Sequence, residues 1–265
     1  MQPTRTRDKS IGFRKLARSR SAAAILTILL SLAASSATAG ELYLSGHLGI
    51  SGGFADSGGS TPFFDNTGSD SDSSPSYGLV FGLEAPMNEP LPESWQDDLP
   101  NWPVMVELEA TGGRDFEFLT DGADPYRSEV TSWTVFNNAR FDFPVYAPVQ
   151  WAFGRIPILE PVTFYTMVGL GLAINDVSVT DNVSRGSDTV VNFAWQVGAG
   201  FAYEFTEYVS LNLGYRYVDL GETELGLSVG PTDFGDFTLD VSAHEFATAL
   251  RVRFYPVPLR WPRER

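Results

Sequence analysis

Two histidines, His47 and His244, are the only imidazoles in this 265-residue chain, and it contains no cysteine. A general base that titrates near neutral pH must therefore be one of these two side chains or a perturbed carboxylate. His47 stands close in sequence to Ser45 and Ser51, and Glu245 follows directly on His244. If the first and last segments of the chain were neighbours, Ser, His and Glu could supply a hydrolytic nucleophile, its base and an orienting acid. The commoner explanation of such a histidine is a polar side chain with its hydrogen bonds satisfied by the fold. A second set of residues is ionic: Glu84, Glu107, Glu109, Asp142, Glu204 and Glu245 face Arg140, Arg216, Arg251 and Arg253 in sign. Brought together out of water, they would form an ion-pair network or line a path for ions.

Other chemistry is less well represented. Asp65-Asn66-Thr67-Gly68-Ser69-Asp70-Ser71-Asp72 is rich in oxygen ligands but lacks the EF-hand spacing and its closing bidentate Glu. It reads as a solvated loop, and no metal site is expected. There is no Walker A loop, dinucleotide fingerprint or zincin helix, so no cofactor is expected either. The absence of cysteine excludes a disulfide scaffold, a Cys-ligated zinc site and a cysteine nucleophile.

The elements that must position these residues are strands. Period-2 alternation recurs in eight stretches of strand length, and no part after residue 40 forms a convincing amphipathic helix. In the third, Val104, Val106, Leu108 and Ala110 alternate with Met105, Glu107, Glu109 and Thr111. In the seventh, Val209, Leu211, Leu213, Tyr215 and Tyr217 alternate with Ser210, Asn212, Gly214 and Arg216. The eighth sets Phe246, Leu250, Val252 and Phe254 against Glu245, Ala247, Ala249, Arg251 and Arg253.

The polar faces of these strands are rich in Gly and Ala, as at Gly78, Gly82, Gly169, Gly171, Gly198, Gly200 and Gly214. A water-facing strand has no use for glycine, which weakens it, whereas a narrow interior needs small residues between large ones. The apolar faces carry Tyr77, Trp133, Phe193, Tyr217 and Phe246 at one end and Phe143, Phe205 and Phe254 at the other, as two aromatic girdles would. The fold expected is all-β: an eight-stranded antiparallel up-and-down transmembrane β-barrel, apolar outside and charged inside, spanning 40–254.

Residues 1–39 carry Arg5, Arg7, Lys9, Arg14, Lys15, Arg18 and Arg20 ahead of an apolar run ending on Ala37-Thr38-Ala39. That is a secretory signal, cut before Gly40. Its removal takes seven bases and one acid from totals of 18 and 33, leaving a net charge near −21 and no lysine. Such a surface repels nucleic acid. The acids concentrate in 52–76, 112–129, 175–189 and 218–243, which read as long outward loops, while 86–103 and 144–161 read as proline-rich turns on the opposite side. Residues 255–265 read as a periplasmic tail.

The segments FAWQVGAGFAYEFTEYVSLNLGYRYVDLGE and AHEFATALRVRF, with VELEATGG upstream, resemble strands of the small porin-like outer-membrane barrels, the group of the opacity proteins and the OmpA membrane domain. The resemblance covers most of 41–254. It implies the outer membrane of a Gram-negative bacterium, with lipopolysaccharide and the other lipids of that membrane around the barrel. It further implies insertion by the barrel-assembly machinery, with Phe254 as an internal assembly signal ahead of the tail. The role expected is that of a monomeric structural or surface-interaction protein, not an enzyme, whose lumen is plugged by its ion pairs and whose acidic loops meet an extracellular ligand. Two alternatives remain open: a narrow porin for small solutes or ions, and a lipid A-modifying enzyme built on His47.

Overall fold

The computed structural model describes residues 41–60, 65–86, 103–120, 125–145, 152, 154, 156–181, 183–230 and 232–254. The segments read as signal and tail therefore lie outside the described residues. Eight antiparallel strands close into a barrel in chain order, with the last pairing the first. They are β1 (Glu41–Ser60), β2 (Asp65–Pro86), β3 (Pro103–Leu119), β4 (Arg127–Pro144), β5 (Val162–Thr180), β6 (Arg185–Glu204), β7 (Val209–Val229) and β8 (Thr232–Arg253). A short 3-10 turn, Pro157–Leu159, precedes β5 within the second proline-rich connection. Among the described residues no helix is long and apolar enough to cross a membrane, which says nothing against a crossing by strands.

The lower half of the barrel, toward the chain termini, follows the expected alternation. Leu48, Ile50, Leu79, Phe81, Phe201, Leu213 and Phe246 are exposed on the outside, while Glu107, Glu109, Arg140, Arg216 and Arg251 are buried within. Aromatic contacts mark the two rims of this band: Tyr77 meets Trp133 edge to face at 6.1 Å, and at the other end Phe143 and Phe201 flank Phe164. The apolar exterior removes no surface from water by packing, so its match is to lipid.

The upper half corrects the reading of 52–76, 112–129, 175–189 and 218–243 as loops. In all four the strands run on to a closing pair: Ser60 pairs Asp65, Leu119 pairs Arg127, Thr180 pairs Arg185 and Val229 pairs Thr232. The physical reason is a second, reversed alternation. Above the girdle Ala55, Phe116, Phe118, Val130, Val177, Val179, Leu225, Leu227, Phe237, Leu239 and Val241 point inward and form one buried apolar cluster. Their neighbours Asp56, Asp115, Glu117, Asp176, Glu222, Glu224 and Asp240 point out into water.

The wall also changes character there. Ladder pairing between β2 and β3 stops at Tyr77–Gly112, and that between β6 and β7 stops at Trp195–Asp219, resuming only at Arg185–Ser228. The other six strand pairs continue without such a gap. Above these two seams the barrel is a sandwich of two four-stranded sheets, β7-β8-β1-β2 and β3-β4-β5-β6, facing each other across the apolar cluster.

Each seam starts at a glycine bulge. On β3 the register shifts between Thr111 and Arg114, with Gly113 at φ 79°; on β7 it shifts at Gly221, also φ 79°. This left-handed conformation favours glycine, and the extra residue turns the following side chains to the opposite face. The β2–β3 seam is closed by side chains at alternate positions. Asp115 N donates to Ser74 Oγ at 2.9 Å, Glu117 N to Asp72 Oδ2 at 2.9 Å and Leu119 N to Asp70 Oδ2 at 2.7 Å. The stretch 65–72, read as a solvated loop, is thus strand β2, and two of its carboxylates replace ladder bonds to β3. At the β6–β7 seam the carbonyl of Leu220, freed by the bulge, accepts from Asn175 Nδ2 at 2.9 Å and from Asn192 Nδ2 at 3.5 Å.

Candidate functional site

The lumen of the lower half is the site toward which the charged residues converge. Alternation brings Glu107 and Glu109 (β3), Arg140 and Asp142 (β4), Arg216 (β7), and Glu245 and Arg251 (β8) to the inner face, all buried. They separate into two layers. In the upper layer Arg216 donates through Nη1 to Glu109 and through Nε to Glu245, and Arg114 Nε donates to the other oxygen of Glu245. Glu109 also accepts from Thr111 Oγ1 at 2.8 Å, Asn138 Nδ2 at 2.7 Å and Gln196 Nε2 at 3.0 Å. Two guanidinium and two carboxylate groups make this layer electrically neutral.

The lower layer is a second neutral tetrad. Arg140 binds Asp142 in bidentate fashion, at 2.6 and 3.0 Å, and Arg251 lies 3.9 Å from both Glu107 and Asp142. Tyr43 donates its hydroxyl to Glu107 at 2.6 Å and offers its ring to Arg251, while the Tyr165 ring sits 3.7 Å from the Arg140 guanidinium carbon. Removing four charges from water costs several kcal/mol per ion. Pairing within a low-dielectric lumen, with every carboxylate also hydrogen-bonded or paired twice, offsets that cost.

Glu84, Glu204 and Arg253 lie elsewhere. They form a rim cluster at the termini-facing mouth, where Arg253 donates to Glu84 at 3.0 Å and to Glu204 at 2.9 Å. The Glu204 side chain retains 43% exposure, so this cluster belongs to the mouth rather than the buried network. Phe254 lies just beyond β8 with its N–H on Leu42 O at 2.8 Å and its ring exposed on the outer face.

Arg114 was not legible as a lumen residue. It falls in the supposed loop 112–129, and strict alternation from Glu107 and Glu109 puts it outside; the Gly112-Gly113 bulge turns it inward. The only available signal was that glycine pair, followed by Phe116 and Phe118 two and four residues after Arg114.

The histidines do not build a catalytic set with the serines. His47 faces inward, with Nε2 3.3 Å from Thr111 Oγ1, 3.4 Å from Arg216 Nη2 and 3.8 Å from Glu109. Its hydrogen bonds go to Thr111 and Arg216 rather than to Ser45 or Ser51, and Glu245 is engaged by two arginines. His244 faces outward, bonded to the Tyr215 hydroxyl and set among Phe54, Tyr215 and Tyr217. Among the described residues no group of His, Asp and Glu is arranged to hold a metal ion.

An apolar belt between aromatic rims, closed strands and an ion-paired interior define a β-barrel membrane protein with a filled lumen. The comparison with known families agrees. The sequence matches the outer membrane protein β-barrel domain over residues 22–254, and the chain belongs to that family, whose place is the outer membrane. Similar solved structures include Neisserial surface protein A, 16% identical, covering 78% of this chain and 97% of that one with a TM-score of 0.35. Others are Ail, the attachment invasion locus protein of Yersinia pestis (16%, 79% and 99%, TM-score 0.35), and OprG of Pseudomonas aeruginosa (13%, 82% and 97%, TM-score 0.42). No curated protein matches the chain in sequence.

Proposed function

We propose that this chain is a structural and surface-interaction protein of the outer membrane, in which a plugged barrel anchors a rigid acidic β-sandwich above the bilayer. The observation that carries this reading is the double closure of the barrel axis. Two neutral ion-pair layers fill the lower half, and the apolar cluster from Ala55 to Ala243 fills the upper half. Among the ionic side chains lies a cavity of about 70 Å³, room for a few water molecules and too little for a hydrated solute. Above it, an ion would have to leave water for a core lined by Phe116, Leu225, Leu239 and Val241.

The sandwich presents an acidic exterior. Arg127 and Arg185 are the outward-facing bases among its described residues, and Arg127 is already paired with Glu117 and Glu129. A ligand for that exterior has a cationic face. The chain reaches the membrane by a signal cut before Gly40 and is inserted as a monomer by the barrel-assembly machinery reading Phe254. In this reading it has no catalytic role, because the His47 ring is engaged by Thr111 and Arg216 within the ion-pair layer.

Single-channel recording of the refolded mature protein in planar bilayers tests the reading, after a heat-modifiable gel shift has confirmed folding. A silent bilayer is the expected result. Steady openings that change with Glu107→Gln would make the protein a porin and overturn the reading.

A further inference from the structure

The outer wall of β7-β8-β1-β2 is ordered in rows by the strand register, and the rows change chemistry abruptly. Tyr215, Phe246 and Ile50 share one row, and Tyr217 and His244 the next. Above them come Asp219, Ser242, Phe54 and Ser71, and then Glu222, Asp240, Asp56 and Ser69. Apolar wall gives way to carboxylate within two rows, about 10 Å at strand rise plus tilt, which fixes this level as the boundary between acyl chains and headgroups.

Two concave features lie along this wall and its β6 neighbour, one on each side of the boundary. Below is an apolar groove of about 380 Å³ on the lipid-facing side, lined by Ala199, Phe201, Leu213, Tyr215, Phe246 and Thr248 among others. Above is a polar pocket of about 510 Å³, in which Asp56, Asp70, Asp219 and Asp240 stand around the rings of Phe54 and Tyr217. Tyr215, bonded to His244, which packs on both Phe54 and Tyr217, joins the two.

The upper pocket is built against ordinary sheet preferences. Asp240 lies directly opposite both Asp56 and Glu222, an arrangement of like charges that destabilises a sheet. Among the described residues no arginine or histidine comes within ion-pair distance of Asp56, Asp219, Glu222 or Asp240. The carboxylates are spread along a row and interleaved with aromatic faces, and among the described residues none form a metal-holding group. Spread carboxylates with aromatic faces suit a diffuse organic cation better than a bare metal ion, which needs converging oxygens. A phosphate headgroup alone would be repelled.

We propose that this wall holds a lipid of the outer leaflet whose headgroup carries an amine. One acyl chain lies in the groove at Ala199, Leu213 and Phe246, and the ammonium sits over Tyr217 and Phe54 against Asp56, Asp219 and Asp240. The site depends on the barrel lying in the outer membrane and is independent of whether the lumen conducts.

The test is native mass spectrometry of the refolded mature protein offered equal amounts of two dimyristoyl lipids, one with a trimethylammonium headgroup and one with phosphatidylglycerol, with and without magnesium. The expected result is retention of the cationic lipid with about tenfold preference, equivalent to about 1.4 kcal/mol. D56N/D219N/D240N, all on the water-facing side of the wall, should lose the preference while keeping the folded gel shift. Thr248→Trp, filling the groove, should reduce retention of both lipids. Retention of phosphatidylglycerol only with magnesium, abolished by the triple variant, would replace the amine by a metal-bridged phosphate and overturn the proposal. Equal retention of both lipids by the native chain and the triple variant, or retention of neither, would also overturn it.

Discussion

The two halves of this barrel use the same strands with opposite polarity. In β8 the residues facing inward run Phe237, Leu239, Val241 and Ala243, and then Glu245 and Arg251; those facing outward run Thr238, Asp240 and Ser242, and then Phe246, Leu250 and Val252. Nothing in the backbone changes between Ala243 and Glu245. The solvent changes: lipid outside the lower half makes an apolar exterior favourable and leaves the interior to charges, while water outside the upper half demands the reverse. The comparison teaches that a strand's apolar face reports what lies beyond the wall, not which way is in.

A substitution in each half probes the contrast, and the largest effect belongs to the lower one. Arg216→Met leaves Glu109 without its principal cation and Glu245 with only Arg114. It should cost roughly 3–5 kcal/mol, because the remaining charges stay buried. Urea unfolding in micelles, followed by the gel shift, measures this. In the upper half Leu239→Ala opens a cavity in the apolar cluster and should cost about 2–5 kcal/mol. Hydrogen exchange distinguishes the halves: amides above the girdle should lose protection while those around Glu107 and Arg140 keep theirs. Uniform loss across both halves would show that they fold as one unit.

The seams are expected to be weaker. D70A/D72A removes the carboxylates that accept from Leu119 and Glu117, at about 1 kcal/mol for each bond, and should expose those two amides to exchange ahead of the paired β3–β4 ladder.

The smallest effect concerns pH. Partial burial, and then the charges of Asp219, Glu222 and Asp56, hold the Asp240 carboxyl above its ordinary range. The native state therefore binds more protons than the unfolded chain as pH rises from about 4 to the raised value, and stability falls across that window. Asp240→Asn should protect the upper half at neutral pH and make no difference below about pH 4, as read by exchange at both pH values.

Much of the lower half could be read directly from residue order. Glu107 and Glu109 alternating with Val106 and Leu108 on β3, or Arg216 between Tyr215 and Tyr217 on β7, disclose both the strand and the face. Residue order conceals the upper half for two reasons. On β8 the alternation continues but its phase reverses at Ala243-His244-Glu245, a signal carried by the sequence amid Asp and Gly residues typical of loops. On β3 and β7 the phase never changes; bulges at Gly113 and Gly221 turn an unbroken alternation inside out, so Phe116 and Leu225 end up inside. A bulge becomes apparent only when two residues on one strand oppose one on its partner, and that is a fact about pairing.

The sequence by itself determined the strand count, the apolar belt, the aromatic rims and the presence of both signs of charge in the lumen, because a period of two is a local property of the backbone. Tertiary structure alone decided which charges meet. Arg114 reaches Glu245 across a separation of 131 residues, and Arg216 reaches Glu109 across 107. Barrel closure also placed His47 beside Thr111 and Arg216 instead of a serine. Strand register and bulges set those partners, and both emerge only when eight strands close on one another.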